Sequence, residues 1–200
     1  MNEVYPLFSK PVFVSTPELP PFEEAIAYVK NLEYIENVGK NLTSTDTDVL
    51  SKPEFAGVRA VIQSALDEYT KGVMRWDTVD FYITQSWVNS NSGETDHHLH
   101  YHMNSIISGV FYLVAGDGKG KISFHDDHKR VLDFNVTEHN VWNSEHFSLP
   151  VQDNQIVLFP SVMLHSVEKH HGDYNRISIA FNTFVKGEFG SKQGLTHLKL

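Results

Sequence analysis

Residues 155–165 read Gln-Ile-Val-Leu-Phe-Pro-Ser-Val-Met-Leu-His, and residues 176–182 read Arg-Ile-Ser-Ile-Ala-Phe-Asn. The first stretch is an apolar strand that enters a Pro-Ser turn and delivers one histidine at the start of another strand. In the second, Arg176, Ser178 and Ala180 alternate onto one face, because side chains two apart in a strand point the same way. An arginine aimed into an apolar sheet interior is costly unless it meets an anion. Its planar fork fits a carboxylate through two parallel bonds, and the Ser178 hydroxyl can add a third.

Working outward, the chain from Thr78 onward is a series of short runs rich in β-branched and aromatic residues. They cover 81–89, 106–114, 121–125, 155–159, 164–167 and 176–184. Gly, Asp and Pro separate them, as in Ala115-Gly116-Asp117-Gly118, which reads as a hairpin turn. The first third is helical in pattern. Pro20-Pro21 opens a segment with Phe22, Ala25, Ile26, Val29 and Leu32 at helical spacing. A second helix fits Lys52 to Val73, with Pro53 in its first turn. Helices followed by antiparallel strands give an α+β chain with a sandwich or small barrel core. The spacing predicts one domain, with a helical part over about 18–75 and a β core over about 78–187. The interval 126–150 has weak periodicity and reads equally as a lid over a site or as a surface insertion.

Composition narrows the function classes. The 200 residues contain no cysteine, so any metal must be held by nitrogen and oxygen ligands. A formal charge of -9 with scattered Lys and Arg argues against a nucleic-acid surface. No stretch approaches the roughly 20 apolar residues of a membrane span, and the N-terminus shows no export signal, so a cytoplasmic protein is expected. The glycosylation patterns at Asn41 and Asn135 then carry no weight.

Histidine is the unusual residue. The run Asp96-His97-His98-Leu99-His100-Tyr101-His102 places His98, His100 and His102 on one strand face and His97, Leu99 and Tyr101 on the other. Neighbours at i and i+2 can chelate one ion, and imidazole suits Zn, Cu, Fe and Ni. His165 is the distal candidate. His170 and His171 lie beside Gly172 and Asp173 in an expected hairpin and read as solvated.

Taken together, Trp87-Val88-Asn89, His100-Tyr101-His102-Met103-Asn104-Ser105, Ile107-Ser108-Gly109-Val110-Phe111-Tyr112, Phe159-Pro160, His165 and Arg176-x-Ser178 resemble the Fe(II)- and 2-oxoglutarate-dependent oxygenases. More narrowly they are similar to an oxygenase group of phages and marine bacteria, which would place the chain in a host cytoplasm. The resemblance is strong over 81–185 and weaker at the N-terminal helices, where Asn41-Leu42-Thr43-Ser44 also fits. It implies a double-stranded β-helix (jelly-roll, cupin-like) core and His165 as the distal iron ligand. It also implies Arg176 and Ser178 on the far carboxylate of 2-oxoglutarate. Iron and the keto acid would carry the O2 chemistry, releasing succinate and CO2 while hydroxylating a small-molecule or peptide substrate.

One position departs from the superfamily pattern. Where a carboxylate is expected two residues after the first histidine, this chain has His102. Three ligand sets stay open. His100, His102 and His165 is the favoured one; a near histidine with Asp126 is the second; His98 and His100 with His102 behind them is the third. Three neutral imidazoles would leave the ion one unit more positive than a set with a carboxylate. Tyr112 reads as a core tyrosine before a co-substrate ligand. Asn104 and Ser105 read equally as turn residues or as ligand-orienting groups. Trp87 and Asn89 would face the barrel interior, with Trp87 as core. The competing function is a cupin-like metal-binding barrel that does not use 2-oxoglutarate, and Arg176-x-Ser178 argues against it. Oligomeric state is not legible.

Overall fold

The computed structural model describes residues 2–116, 120–126, 132, 134–169 and 174–200. In chain order the elements are β1 (Phe13–Ser15), α1 (Glu23–Val29), β2 (Tyr34–Glu36), β3 (Leu42–Ser44), α2 (Ala56–Asp67), β4 (Val79–Asn91), β5 (His97–His100) and β6 (Ile107–Val114). Then follow β7 (Lys121–His125), β8 (His146–Pro150), β9 (Ile156–Pro160), β10 (His165–Val167), β11 (Arg176–Phe189) and β12 (Leu198–Lys199). Two sheets form. The larger runs β1-β9-β6-β11-β4-β3-β2, with β12 on the end of β11, and the smaller runs β5-β10-β7-β8. Every strand pairing within them is antiparallel. This is the double-stranded β-helix that the family resemblance implied.

The centre of the larger sheet, β6, β9 and the first part of β11, is buried on both faces, which explains its unbroken apolar runs. Along β9, Ile156 and Leu158 join the core under the helices, while Val157 and Phe159 join a second core between the two sheets. β6 divides the same way. Its Ile107, Phe111 and Leu113 face the helices and Tyr112 faces the other sheet. On β11, Ile179 and Phe181 take the helix side. Arg176, Ser178 and Ala180 alternate with them onto the side facing the smaller sheet.

The helical expectation holds with changed bounds and pitch. The first helix is only Glu23–Val29. The span 52–73 is helical from Pro53 onward, but it starts as a 3-10 turn over Pro53–Phe55 and ends as a π-type turn over Glu68–Val73. Val58, Ile62, Ala65 and Leu66 recur at 3.6-residue spacing and are buried against the larger sheet. Each fully buried side chain of this size contributes about 1.5–3 kcal/mol.

Several strands escaped the pattern. β1, β2 and β3 are three residues each, too short for alternation to register. β8 lies inside the interval read as a lid or insertion, yet His146–Pro150 pairs in full with Lys121–His125. Asp117 and Gly118 of the expected hairpin, Arg130 of the interval, and His170, His171, Gly172 and Asp173 lie outside the described residues.

Gly109 shows how tightly the sheet meets the helix-side core. A Cβ there would stand 2.3 Å from Phe181 Cζ and 2.6 Å from Leu158 Cδ2. Replacing Gly109 by Ala is therefore expected to destabilise the fold by about 1–3 kcal/mol through overpacking. Urea unfolding measures this, and an unchanged midpoint would show that the Phe181 ring shifts without cost.

Candidate metal centre

Three histidines converge where β5 and β10 meet. His165 opens β10 and pairs directly with His100, so their side chains share a face. His102 lies just past the end of β5, and its backbone N–H donates to the Ser161 carbonyl at 2.9 Å. That segment is pinned by a buried hydroxyl network. Ser161 Oγ donates to Ser105 Oγ at 2.8 Å and lies 2.8 Å from Ser108 Oγ, which donates to Asn182 Oδ1 at 2.9 Å. Ser105 Oγ also accepts from the Thr183 amide. Ser105 thus fixes the chain beside His102, and Asn104 adopts the left-handed backbone (φ 55°) that turns it.

One potential ligand atom from each of His100, His102 and His165 lies within 4.8 Å of the others. The Nε2 atoms of His102 and His165 are 3.3 Å apart. Two nitrogens each about 2.1 Å from one ion, at 90–110°, stand about 3.0–3.4 Å apart, so this pair has chelating geometry. Backbone carbonyls orient the rings. His165 Nδ1–H donates to Met163 O at 2.9 Å and His100 Nδ1–H donates to His98 O at 2.7 Å. Each bond fixes the tautomer and leaves Nε2 with a free lone pair, the arrangement usual in metal-ligating histidines. Burial pushes His165 down to about 3 and His102 down to about 4, and lowers His100 as well. All three are therefore neutral near pH 7, the form that binds metal.

The run around His100 does not form the regular strand that alternation predicts. β5 ends at His100, so His98, His100 and His102 do not line one strand face. Val167 pairs with His97 and His165 with His100. Two steps on β10 thus span three on β5. The extra residue is a β-bulge, and it turns His97 and His100 to the same side with their rings stacked 4.5 Å apart. His97 is the residue that the alternation reading turned the wrong way, and no composition signal marks the bulge. His98 is exposed and joins His97 and His100 in a second convergent group, apart from His102 and His165. Asp126 follows β7 and is exposed; it belongs to neither group. Trp87 is only half-buried, and its ring lies 5.7 Å from that of His102, so it flanks the site and does not fill the core.

The arginine side of the candidate site lies on the larger sheet. Register aligns Ser178 with Asn89 on β4 and Tyr112 on β6, and Arg176 with Asn91. Thr43 pairs with Asn89 and its hydroxyl donates to Asn89 Oδ1 at 3.0 Å. Arg176 is 1% exposed, yet neither terminal guanidinium nitrogen has a hydrogen-bond partner. The Tyr112 hydroxyl, Gln155 Oε1 and both amide atoms of Asn41 are likewise buried and unpartnered. Leaving such groups unmet costs about 1–3 kcal/mol each, more when charged, so the Arg176 fork, with the Tyr112 hydroxyl near enough to act on it, marks a place for a polar ligand. Gly120 makes room for the guanidinium, since a Cβ there would stand 2.6 Å from the Arg176 Nη1. Burial lowers the Arg176 pKa, an effect opposed by Tyr112 and Tyr174, and raises Tyr112 to about 12. Tyr112 therefore remains a donor.

The histidine shifts have a consequence for the metal-free protein. In the unfolded chain these imidazoles titrate near 6.5, and in the fold near 3 to 4 for His165 and His102. Between those values the unfolded state binds more protons, so stability is full above about 6.5 and falls as pH drops below it. Urea unfolding of the chelator-treated protein is expected to show a lower midpoint at pH 5.0 than at pH 7.5, with a smaller difference in His165→Leu. Equal midpoints at the two pH values would contradict the burial of neutral imidazoles.

Comparison with known proteins agrees with this geometry. The family model described as "Putative 2OG-Fe(II) oxygenase" matches residues 85–182. No curated protein is a significant sequence match. Among solved structures, HygX from Streptomyces hygroscopicus, with nickel and 2-oxoglutarate bound, superposes with TM-score 0.59 at 12% identity, covering 87% of this chain and 82% of that one. A prolyl-4-hydroxylase from Pseudomonas putida gives 0.58 at 12% identity, covering 88% and 94%. The epimerase SnoN, in complex with Fe3+, alpha ketoglutarate and nogalamycin RO, gives 0.60 at 12% identity, covering 89% and 81%. At such identities the likeness shows the shared fold. The sequence match to 2OG-Fe(II) oxygenases is thus confined to residues 85–182, the stretch that carries all three histidines and Arg176.

Proposed function

We propose that this protein is a member of the 2OG-Fe(II) oxygenases, an Fe(II)- and 2-oxoglutarate-dependent dioxygenase that hydroxylates its substrate, with His100, His102 and His165 as the iron ligands. The observation that carries the reading is the Arg176 guanidinium, buried inside the β-helix with both terminal nitrogens unpartnered. A cupin-like barrel that handled only metal and substrate would have no use for it, and the desolvation of an unpaired guanidinium is costly.

The residues fit the groups they would hold. Three neutral imidazoles bind a divalent ion and leave its full charge to attract an anionic chelator. The Arg176 fork, with Ser178 and the Tyr112 hydroxyl in the same row of the sheet, offers donors to the far carboxylate of a five-carbon dicarboxylate. When held there, iron and 2-oxoglutarate would supply O2 activation, coupling oxidative decarboxylation of the keto acid to succinate and CO2 with hydroxylation of the substrate. The chain's own part is to position and to exclude. Phe159 and Phe124 pack on His165 and keep water from its inner side. Their apolar wall strengthens the electrostatic grip on both anion and ion.

Substrate approach is open beside the smaller sheet. A cavity of about 350 Å3 is lined by Phe124, Asp126, Phe147 and Met163, among others. Phe147 and Phe124 pair with each other across β8 and β7, and Phe124 pairs with His165, so this cavity adjoins the metal row. It is large enough for a small molecule or a side chain of a peptide. SnoN is an epimerase on the same fold, and a product one oxygen atom heavier than the substrate distinguishes hydroxylation from epimerisation.

Anaerobic titration of Fe(II) followed by 2-oxoglutarate is expected to give the weak visible charge-transfer band of the chelate. Arg176→Ala should keep the metal and weaken 2-oxoglutarate binding by roughly a hundredfold or more, the ~3 kcal/mol of a lost buried charge pair. A wild-type protein without the band would sink the oxygenase reading. For the ligand set, His102→Ala should cost iron affinity and Asp126→Ala should not. If only the aspartate change abolished iron binding, the three-histidine assignment would be wrong.

A further inference from the structure

We propose that His97, His98 and His100 form an outer divalent-cation site that captures the ion from solvent and passes it to the inner set through His100, the ligand the two sites share. This rests on the reading of His100, His102 and His165 as the iron site.

The outer group is as convergent as the inner one, with one potential ligand atom from each histidine within 4.8 Å of the others. Ring centroids stand 5.2 Å apart for His97–His98, 4.5 Å for His97–His100 and 5.2 Å for His98–His100. The bulge creates it. In an unbroken strand, residues three apart such as His97 and His100 face opposite sides; the extra residue on β5 turns both to one side.

The two groups differ in access. The inner set is closed at its back, where His165 is 3% exposed and the Phe159 ring lies 4.6 Å from its own. Trp87 flanks it at His102. The outer set ends on His98, which is exposed. A hydrated ion sheds its water in steps, and it can exchange its first waters for imidazole where solvent still reaches it. His100 then links the two positions. Its Nδ1 is committed to the His98 carbonyl, so Nε2 is its sole ligand atom and can serve one ion at a time. Occupancy of the two positions is therefore alternate, and the ion moves by trading His97 and His98 for His102 and His165 while His100 holds it.

A capture site on the path speeds entry and exit alike and leaves the affinity of the final site unchanged. That symmetry gives the test. Ni2+ alone serves as the probe, followed by quenching of tryptophan fluorescence in stopped flow, with release measured by mixing with excess chelator. Wild type should bind one ion. His98→Ala should slow both loading and release by about tenfold, the scale on which a local attractor changes encounter rates, with a dissociation constant within about twofold of wild type. His97→Phe, which keeps a ring stacked on His100 but removes its nitrogens, should behave likewise. His139→Ala, exposed and belonging to neither group, should change nothing. Unchanged rates in His98→Ala and His97→Phe would overturn the proposal. So would faster release with unchanged loading, the sign of a weakened single site, or two Ni2+ ions bound to wild type at once. If wild type binds Ni2+ normally and only the rate symmetry fails, the inner iron site stands and the outer one falls. If wild type binds no Ni2+, both fall.

Discussion

The Arg176 guanidinium, buried inside the β-helix with no hydrogen-bond partner for its terminal nitrogens among the described residues, is the constraint around which the rest of this protein is arranged. Arg176 is among the largest fully buried side chains of the chain. The fold tolerates it because strand alternation puts it on the one face of β11 that looks toward the smaller sheet, and because Gly120 leaves space for its fork. The same alternation puts Ile179 and Phe181 against the helices. One strand thus serves the hydrophobic core with one face and a charged ligand pocket with the other. An uncompensated cation there lowers stability, and a dicarboxylate that binds the fork would return it through binding linkage.

The histidine cluster and Arg176 come from different sheets, which is what the β-helix makes possible. β5 and β10 of the smaller sheet bring His100 and His165 face to face, and a serine network between the strands of the larger sheet anchors the segment carrying His102. Neither half is complete within one hairpin. A ligand bridging the two would lie in the space between the packed sheets. With the histidines neutral at one end, the fixed positive charge sits at Arg176 at the other, in a chain whose formal charge is -9.

Much of this was legible in the sequence, for physical reasons that can be named. β6, β7, β9 and β11 are long or strongly apolar, so burial on two faces wrote them as continuous β-branched and aromatic runs. The Arg176-x-Ser178 pair stood out because a charge in such a run needs a partner. What escaped were features with no compositional cost. The bulge in β5 adds one residue among histidines that look alike whichever way they face, so alternation assigned His97 outward and grouped His98 with His102. β8 hid in a polar interval because its outward residues outnumber its buried ones. Trp87 read as core because tryptophan is usually buried, whereas here its ring borders His102.

Diffraction from crystals soaked with Mn2+ and 2-oxoglutarate tests the central claim most directly. The account predicts one anomalous peak within bonding distance of the His100, His102 and His165 imidazoles. Continuous density should run from that peak to a carboxylate on the Arg176 guanidinium. A peak ligated by Asp126, or an Arg176 fork facing only water, would contradict it.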